Sequence, residues 1–403
     1  MAMRVTPDII SPWFIDRLVC EQTWLDRRLP LIGDKGFISV DLHTGEYDPT
    51  AVRTSRTTVQ SSYSTSLRVS CDGHRVRVEG NPSRFGRVEN LYGFQTFEEC
   101  IRVYNIVLAK LGLPPFTTGR FSFKTDNRSG AKDRKHLKTY SGCVIKHVDI
   151  TRNHSVGYRN EYAFLRALSS FSLPNGKKPN LYPNGATVDY STSRSIGGSS
   201  WDYSKLYIKA HELIEHMKKN LKNATDADVE YYKKLIEHCQ AAGIVREEHS
   251  FKAKKLARYE LCFFGHVTVE DLANHFTLTT LDTLTETLEV ATMDYITIAD
   301  QLLKRKIVNS RQAANATANY CHMWLNGQSL YNEDSGKYPR QYYVHKSRLI
   351  QLGLDISIPF DATRTALPMI KRQREITVRP HQMPDWYRKP STRNFVVIHG
   401  QAA

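Results

Sequence analysis

Residues 66–80 read SLRVSCDGHRVRVEG and residues 97–111 read FEECIRVYNIVLAKL, and these two stretches decide the fold class. In the first, polar and apolar residues alternate on both sides of an Asp-Gly pair, which predicts two antiparallel strands joined by a tight turn. In the second, apolar residues recur at helical spacing, Thr96 can cap the helix, and a Gly-Leu-Pro-Pro run ends it. A hairpin followed by an amphipathic helix predicts an α+β protein with helices packed on a largely antiparallel sheet.

The rest of the chain mixes the same two patterns without regular β-α-β alternation. The patterns predict strands at 142–151 and 243–259 and helices at 158–170, 206–219 and 226–242. The stretch 173–200 is rich in Gly, Pro, Asn and Ser and is too long for a plain connector. It is therefore predicted to be a functional loop.

The patterns divide the chain into three predicted regions. Residues 1–265 would form a catalytic α+β core, residues 266–360 a smaller α-rich module, and residues 361–403 a basic, proline-containing arm that extends rather than folds. Within the module, helices at 315–324 and 338–352 would suit a helix-turn-helix-like unit that binds a DNA groove. A helical pair that merely packs on the core fits the same pattern, and the sequence leaves both readings open.

The composition is that of a folded, basic protein. The 403 residues include 56 Lys+Arg and 41 Asp+Glu, which gives a net charge of +15 at pH 7 and a sequence pI near 9.4. Hydrophobic residues make up 40%, enough for at least one sizeable core, so wholesale disorder is excluded. No apolar run is long enough to cross a bilayer, and Asp8 and Asp16 interrupt the stretch where a signal peptide would be apolar. The seven scattered cysteines lack a Cys-x-x-Cys pair, so we expect a soluble protein of a reducing cytosol.

The positive charge is concentrated in a few segments, which favours contact with a polyanion such as nucleic acid. The segment 117–140 is predicted to be a flexible basic loop that contacts phosphates. A further basic segment is the predicted helix at 338–352. The turn that follows Glu79 carries polar residues suited to holding a phosphate. The predicted DNA-binding residues are Asn81, Ser83, Arg84, Arg120, Lys124, Arg128, Lys132, Arg134, Lys135, Arg340, Lys346 and Arg348.

Three acidic residues lie on predicted strands: Glu79, Asp149 and Glu248. A carboxylate on the inward face of a strand costs several kcal/mol unless it is paired or bound to a cation. Taken singly, each acid is more often a surface or salt-bridged residue. If the three converge, they predict a site for a hard divalent cation, Mg²⁺ or Mn²⁺.

Tyr207 is the candidate nucleophile, within SSWDYSKLYIKAHELIEHM. A phenol with an ordinary pKa near 10 is a poor nucleophile, so it needs cations that stabilise the phenolate. If Tyr207 opens a helix, His211 shares its face; if the segment is still extended there, Lys209 does. Tyr203 precedes Tyr207 by four residues, a spacing that would place two hydroxyls on one helical face. A half-buried structural aromatic is the plainer reading for Tyr207.

Six blocks of the sequence, in order, resemble the filamentous-phage gene II replication initiators and their relatives in plasmids and prophages. They are VEGNPSRFGRVENLYGF at 78–94, VDITRN at 148–153, LYPNGATVDY at 181–190, LYIKAHEL at 206–213, IVREEHSFKAKKLARY at 244–259 and PDWYRKP at 384–390.

The resemblance implies a rolling-circle initiator that nicks one strand of origin DNA in the cytosol of a bacterial host. The family's nucleophilic tyrosine falls on Tyr207, the Tyr-x-Lys arrangement is kept through Lys209, and the acids of the corresponding blocks fall on Glu79, Asp149 and Glu248. The implied partners are double-stranded origin DNA, the displaced single strand, and a host helicase and polymerase. An oligomer on the DNA is compatible with this role, and no membrane partner is implied.

Two other classes of function remain open at this stage. A non-catalytic origin-binding regulator would use the same basic segments, and an RNA-processing or recombinase-type enzyme would keep the nucleophile with a different substrate. No two histidines are separated by a single residue, so the His-x-His metal motif of the common rolling-circle nickases is absent. Kinase, P-loop and dinucleotide-binding motifs are absent as well.

Overall fold

The structure is a computed structural model, and it describes residues 13–48, 53–61, 63, 65–126, 135–169, 172–173, 177–191, 201–222, 224–275, 295–328, 330, 338–352, 354–358, 360, 378–392 and 397–398. Among these residues no helix is both long and apolar enough to cross a membrane.

The described residues form sixteen strands. They are β1 (Phe14–Thr23), β2 (Leu31–Ile32), β3 (Gly36–Phe37), β4 (Arg53–Thr54), β5 (Thr57–Ser61), β6 (Ser66–Asp72), β7 (Arg75–Gly80), β8 (Phe121–Asp126), β9 (Lys135–Tyr140), β10 (Val144–Ser155), β11 (Lys178–Leu181), β12 (Thr187–Ser191), β13 (Asp202–Ile208), β14 (Ile244–Lys252), β15 (Arg379–Pro380) and β16 (Val397–Ile398).

The same part of the chain forms nine helices. They are α1 (Phe97–Lys110), α2 (Glu161–Leu168), α3 (Lys209–Asn220), α4 (Asp226–Ala242), α5 (Ala253–Arg258), α6 (Val269–His275), α7 (Tyr295–Lys304), α8 (Arg311–Leu325) and α9 (Arg340–Ile350).

One large antiparallel sheet organises the molecule. Its strand order is β11-β12-β13-β14-β10-β1-β7-β6-β5-β16, with β15 added beside β10 and β2 beside β6. Two hydrophobic clusters cover it: α1 packs with β1, β6, β7 and β10, while α2, α3 and α4 pack in a second cluster with β12, β13 and the helices α7 to α9. The α+β prediction, with helices on a largely antiparallel sheet and an α-rich C-terminal part, is confirmed.

Several elements form where the sequence predicts them. The β6–β7 hairpin turns at Asp72 and Gly73, and α1 begins after Thr96, whose side chain accepts a hydrogen bond from the Glu99 backbone N–H. Helix α4 begins with a capping box at Thr225, in which both side-chain-to-backbone hydrogen bonds are present. The predicted strands at 142–151 and 243–259 correspond to β10 and β14, although the second ends earlier and gives way to α5.

Three predicted elements are wrong. The stretch 173–200 contains the β11–β12 hairpin, which extends the sheet; Pro and Asn residues mask these short strands, and pairing with β13 determines them. The predicted helix 206–219 begins only at Lys209, because β13 continues through Ile208 beside β14. The predicted basic loop 117–140 contains the hairpin β8–β9, and its residues 127–134 lie outside the described residues.

The α-rich module contains the two predicted helices, as α8 and α9. Helix α9 buries Tyr342, His345 and Leu349, and His345 Nδ1 lies 3.0 Å from Thr317 Oγ1 on α8. The buried face of α9 therefore packs on its neighbour and leaves Arg340 exposed. The division of the chain at 265 and 360, and DNA binding by this helix pair, stay predictions.

The described part of the C-terminal arm, residues 378–392, is docked on the core rather than free. We call it the C-terminal strap. It is extended, as predicted, but β15 pairs with the end of β10, and the His381 backbone N–H donates to the Asn153 carbonyl at 3.1 Å. Arg388 Nη1 forms an ion pair with Asp228 Oδ1 at 2.6 Å. Buried aromatic and polar groups thus hold the strap on the core, and the assignment of 361–403 as a separate arm stays a prediction.

The strap anchors on the loop between β7 and α1. The Tyr387 hydroxyl accepts hydrogen bonds from the Tyr92 backbone N–H and from Arg87 Nη2, both at 2.8 Å, and lies 3.1 Å from Glu89 Oε2. Beside it, His381 Nε2 lies 2.8 Å from His238 Nε2 of α4. A loop, a helix and the strap therefore share one buried polar cluster.

Replacing Gly243 by Ala is expected to destabilise the fold more than the same change at Gly112. Both glycines follow a helix with positive φ, +62° and +68°, so each alanine incurs left-handed strain of about 1 kcal/mol. A Cβ at 243 would also meet the Gly157 carbonyl oxygen at 2.0 Å, whereas one at 112 meets nothing within 4 Å. The free energy of unfolding, measured with denaturant, should fall by about 2–4 kcal/mol for Gly243→Ala. Equal losses in the two variants would contradict this account.

The strap is expected to loosen in mild acid through His381. Burial, together with the charge of His238, lowers the pKa of His381 to about 3. The unfolded chain, with an ordinary histidine pKa near 6.5, then binds more protons below that pH, so stability is lost as pH falls from about 6.5 toward 3. Between pH 7 and about 5 the wild type should lose about 2 kcal/mol more than His381→Gln. Urea melts at both pH values measure this, with His43→Gln on an exposed turn as control. A variant that keeps the wild-type pH dependence would refute it.

Candidate active site

A cleft of about 610 Å³ opens on one face of the sheet, bordered by β1, β7, β10, β13, β14 and α3. All the predicted catalytic and metal-binding residues except Lys209 line it, together with two of the predicted DNA-binding residues, Asn81 and Arg84. The lining includes Asp16, Arg17, Arg68, Glu79, Asn81, Arg84, Asn90, Asp149, Tyr203, Lys205, Tyr207, His211, Glu212 and Glu248.

The strand period places the side chains of β13 and β14 in this cleft. Alternate residues of a strand share a face, so Tyr203, Lys205 and Tyr207 point to the same side of the sheet. Across the β13–β14 pair, Lys205 lies opposite Glu248 and Tyr207 lies opposite Arg246. Tyr203 and Tyr207 therefore share a face through strand geometry, not through the helical spacing that the sequence suggests.

Tyr207 lies against the inner wall of the cleft, with 9% of its surface exposed. Its hydroxyl lies 3.4 Å from Glu248 Oε2, and Lys205 Nζ lies 5.1 Å from the centre of its ring. Burial raises the pKa of Tyr207 well above its ordinary value, and the charges of Arg246 and Lys205 oppose that rise. Burial alone would lower the pKa of Lys205, but the Glu248 carboxylate raises it, so Lys205 stays a cation.

Arg246 is completely buried in the sheet beneath Tyr207. Its Nε donates to Asn153 Oδ1 at 3.0 Å, and its Nη2 donates to the carbonyls of Asn90 and Leu91 at 2.8 and 2.7 Å. Its Nη1 has no hydrogen-bond partner. Burial alone would lower the pKa of Arg246, but Tyr207, Asp16 and Glu212 raise it, so the guanidinium stays charged beside Tyr207.

Two of the three predicted acids lie next to each other in the cleft. Asp149 is hydrogen-bonded to His147 Nε2 at 2.8 Å and to the Ser250 hydroxyl, and Glu248 Oε1 pairs with Lys205 Nζ at 2.8 Å. Burial raises the pKa of Glu248, and the neighbouring Asp149 charge raises it further, against the opposing effect of Lys205. The pKa of Asp149 is lowered instead: burial alone would raise it, but His147, Ser250 and Lys205 favour the carboxylate.

Glu79 lines the same cleft in a different environment. Arg56 Nη1 lies 2.5 Å from its Oε2, Arg17 Nη2 forms a hydrogen bond with its Oε1, and Arg68 Nη1 lies 3.9 Å from Oε1. Burial alone would raise the pKa of Glu79, but the three arginines hold it below its ordinary value. Glu79 is therefore an arginine-paired carboxylate, whereas the sequence predicts a metal ligand.

A β-bulge brings a further acid, Asp16, into the cleft. In the β1–β10 pair, Ile15 lies opposite Ile150 and Arg17 lies opposite Asp149, so Asp16 is an extra residue. A bulge of this kind turns successive side chains toward one face, and Asp16 and Arg17 both line the cleft.

The contacts of Asp16 lock the neighbouring loop. Its Oδ1 accepts hydrogen bonds from the side-chain amides of Asn81 and Asn90, each at 2.7 Å. The Asp16 charge also contributes to the raised pKa of Glu248. The described residues contain no group of three or more His, Cys, Asp or Glu side chains placed to hold a metal ion. The acids of the cleft are paired with basic side chains: Lys205 pairs with Glu248, and Arg17 and Arg56 pair with Glu79.

Lys209 and His211, predicted to assist Tyr207, form their hydrogen bonds and ion pairs with other residues. Lys209 is the first residue of α3 and is fully buried, where its Nζ donates to Asn90 Oδ1 at 2.8 Å and Glu212 Oε2 at 2.6 Å. His211 lines the cleft at the rim and pairs with Glu215 at 3.1 Å. Because β13 continues past Tyr207, the lysine on its face is Lys205, two residues before it.

The predicted DNA-binding residues fall into three groups. In the turn after β7, Arg84 Nη2 bonds to Asn220 at the cleft, while the Ser83 hydroxyl bonds to the Ile15 carbonyl and the Phe94 N–H inside the core. Ser83 is therefore structural, in contrast to its predicted role, and Asn81 holds Asp16.

The described side chains of the two other groups do not line the cleft. Arg120 is exposed just before β8. Lys124 lies on β8 and Lys135 on β9, but their side chains are outside the described part of the structure. Arg128, Lys132 and Arg134 lie wholly outside the described residues. On α9, Lys346 Nζ lies 3.9 Å from Asp355, and Arg348 donates to Thr317 Oγ1 at 3.3 Å. Both side chains are partly engaged within the module.

Sequence reasoning missed Asp16, Lys205 and Arg246. Strand alternation around Tyr207 was the available signal for Lys205, since its spacing of two from Tyr207 mirrors that of Lys209. No local pattern marks the other two, because a bulge places Asp16 and the pairing of β13 with β14 places Arg246.

Comparison with known proteins gives two matches. A sequence model for the C-terminal region of the gene II type "Replication-associated protein" matches residues 302–393. The gene II type "Replication-associated protein" of Escherichia phage If1 is 32% identical over 332 residues, which covers 81% of this chain and 98% of that protein.

Replacing Arg246 by Gln is expected to raise the pKa of Tyr207. Its positive charge is the strongest of the charges that oppose the effect of burial. A trifluorinated tyrosine at position 207, whose phenol is intrinsically far more acidic, brings the titration into a measurable range, and ¹⁹F NMR in the metal-free protein reports it. The shift should exceed one pKa unit, or roughly 1.4 kcal/mol.

The matched control is Arg84→Gln, which removes the same charge from the same cleft. Arg84 is not among the charges that perturb Tyr207. Arg246→Lys, checked by thermal melting, covers the case in which the glutamine variant does not fold, and its shift should lie between those of Gln and wild type. Equal pKa values of Tyr207 in the Arg246 and Arg84 variants would rule out a direct effect of the Arg246 charge on Tyr207.

Proposed function

The chain belongs to the gene II type family of replication-associated proteins, and from that premise we propose that it initiates rolling-circle replication by nicking one strand of double-stranded origin DNA. The observation that carries the proposal is the position of Tyr207, within reach of the acids of the cleft and flanked by two cations. A phenol in such a setting suits in-line attack on a phosphodiester.

In the proposed reaction, Tyr207 Oη forms a bond to phosphorus while the bond from phosphorus to the 3′ oxygen breaks. The phenol proton passes to Glu248 Oε2, which lies 3.4 Å away and belongs to a carboxyl whose pKa is raised by burial. The released 3′ oxygen takes up a proton as a free hydroxyl, which primes synthesis. The energy of the broken ester is kept in the 5′-phosphotyrosyl bond, so attack by a new 3′ hydroxyl reverses the step and closes a single-stranded circle.

The cations around Tyr207 have distinct proposed roles. Arg246, buried and with an open Nη1, stabilises the phenolate as it forms and as it leaves in the closing step. Lys205 holds Glu248 in place and lies over the ring of Tyr207. Lys209 positions Asn90 and Glu212 from beneath, and His211 is a rim residue within reach of the bound strand.

The cleft also offers oxygen ligands for Mg²⁺ or Mn²⁺. The donor set fits a hard cation at Asp149 and Glu248, since a cation would relieve the effect of the Asp149 charge on Glu248, and Mg²⁺ commonly takes one or two carboxylates and keeps several waters. Asp16, which Asn81 and Asn90 hold, would lie in the same cleft outside that pair. Glu79, the third predicted ligand, is engaged by arginines. When bound, the cation would offset charge on the non-bridging phosphate oxygens.

The proposed partners follow from this role. The chain would bind double-stranded origin DNA and the displaced single strand in the bacterial host cytosol, with a host helicase and polymerase to unwind and copy. The hairpin β8–β9 and helix α9 are the proposed outer contacts with the duplex, and such contacts should weaken as salt rises. An oligomer on the origin is compatible with this arrangement.

Tyr207→Phe is expected to abolish the covalent protein–DNA adduct on supercoiled origin DNA with Mg²⁺, and to lower nicking at least about 10³-fold. The control is Tyr203→Phe: Tyr203 lies on the same face of β13, with its hydroxyl 3.4 Å from Asp189, and should keep the adduct. Trapping the adduct on denaturing gels measures both.

Three outcomes would sink the assignment or the function. An adduct that survives Tyr207→Phe but not Tyr203→Phe would move the nucleophile to Tyr203. A gel shift of origin DNA without cutting, with or without metal, would favour the non-catalytic regulator. Preferential cleavage of labelled RNA or linear duplex over supercoiled origin would favour the RNA-processing or recombinase-type enzyme.

A further inference from the structure

Three arginines from separate elements converge on one buried carboxylate beside the cleft. Arg17 comes from β1, Arg56 from the turn before β5 and Arg68 from β6, and all contact Glu79 of β7. The Glu79 side chain is 8% exposed, whereas the arginine side chains are 42–58% exposed. The carboxylate is thus the inner end of a cluster whose cationic groups face outward.

The cluster carries more positive charge than it needs for its own neutrality. Three guanidinium groups against one carboxylate leave two positive charges in excess. A carboxylate that merely paired with solvent-exposed arginines would contribute little to stability. Glu79 instead fixes the orientation of planar groups that are otherwise flexible, which lowers the entropy lost when those groups bind a ligand.

The position of the cluster identifies its ligand. Arg17 lies opposite Asp149 in the strand register, and Arg17, Arg68 and Glu79 line the same cleft as Tyr207. Arg56 lines a neighbouring cleft of about 300 Å³ together with Arg53, Arg75, Arg77, Glu21 and Asp72. Arg75 pairs with Asp72 and Arg77 with Glu21, so the four arginines leave this second cleft with a net positive charge. The Glu79 cluster therefore joins the cleft of Tyr207 to a second cleft of net positive charge.

The size of the first cleft limits what can follow this track. Its volume of about 610 Å³ is that of an ordinary small-ligand site. A short stretch of nucleic-acid backbone is of a size to fit such a cleft. Arginine forks bind phosphate oxygens bidentately, so the chemistry that suits the cluster is the backbone of a single strand.

We propose that Glu79 organises Arg17, Arg56 and Arg68 into a binding site for backbone phosphates of the single strand next to the nick, and that Glu79 is not a metal ligand. This inference rests on the proposed function for the identity of the strand. It does not depend on which side chain performs the cleavage. In it, the acids at β10 and β14 serve the reacting phosphate, and the arginines of β1, of the turn before β5 and of β6 serve its neighbours.

Binding of a fluorescent single-stranded origin oligonucleotide at several salt concentrations tests the arginines, in a Tyr207→Phe background that does not cut. Arg17→Gln and Arg68→Gln should each weaken binding about tenfold at low salt. Each should also reduce the slope of log affinity against log salt by about 0.7. The matched control is Arg102→Gln, an exposed arginine of α1 outside both clefts, which should leave the affinity and the slope unchanged.

Calorimetric titration with Mn²⁺ tests the role of Glu79. Glu79→Gln should bind Mn²⁺ as the parent does, whereas Glu248→Gln should bind it more weakly. A loss of Mn²⁺ affinity in Glu79→Gln equal to that in Glu248→Gln would overturn the inference. If Glu79→Gln does not fold, the exposed arginine variants still decide, because strand affinities equal to that of Arg102→Gln would also overturn it.

The outcomes separate this inference from the proposed function. Absence of nicking together with weakened strand binding by the arginine variants would refute the chemistry and keep the phosphate site. Normal nicking by the parent protein, together with unchanged strand binding by the arginine variants, would support the chemistry and refute the phosphate site.

Discussion

The buried guanidinium of Arg246 is the interaction on which the arrangement of the cleft depends. It binds a side chain of β10, two carbonyls of the loop between β7 and α1, and lies beside Tyr207 of β13. A charge with no exposure is tolerated only when its hydrogen bonds are well made, so the sheet and the loop must adopt one relative position. The charge of Arg246 also lowers the pKa of Tyr207, against the larger effect of burial.

The same loop is held from its other side by the C-terminal strap. Tyr387 bonds to the backbone of Tyr92, two residues after Asn90, whose carbonyl Arg246 holds. Lys209 bonds to the side chain of Asn90 as well. Residues far apart in the chain therefore fix one loop that borders the cleft. This coupling gives the strap a part in the geometry of the site, although it lies outside the cleft itself.

Acidic and arginine-rich regions lie at opposite ends of one cleft. This separation explains how a strongly basic chain contains a cluster of acidic residues. Asp149 and Glu248 lie where β10 and β14 adjoin, with Lys205 as their counter-charge. Glu79, two strands away from β10, is surrounded by arginines. Electrostatic interaction falls with distance, so the two ends of the cleft suit different parts of a polyanionic strand.

The sequence by itself determined the α+β class, the β6–β7 hairpin and the cap of α1, because these depend on local alternation and turn chemistry. Residue type and position singled out Tyr207, Asp149 and Glu248 as candidates, and their roles stay predictions. Tertiary structure alone decided that Tyr207 lies on a strand, that Lys205 and Arg246 flank it, and that a bulge admits Asp16. Tertiary structure also decided that Glu79 forms ion pairs with three arginines. The physical reason is that strand pairing joins residues distant in the chain, and local pattern carries no record of which partner a strand will have.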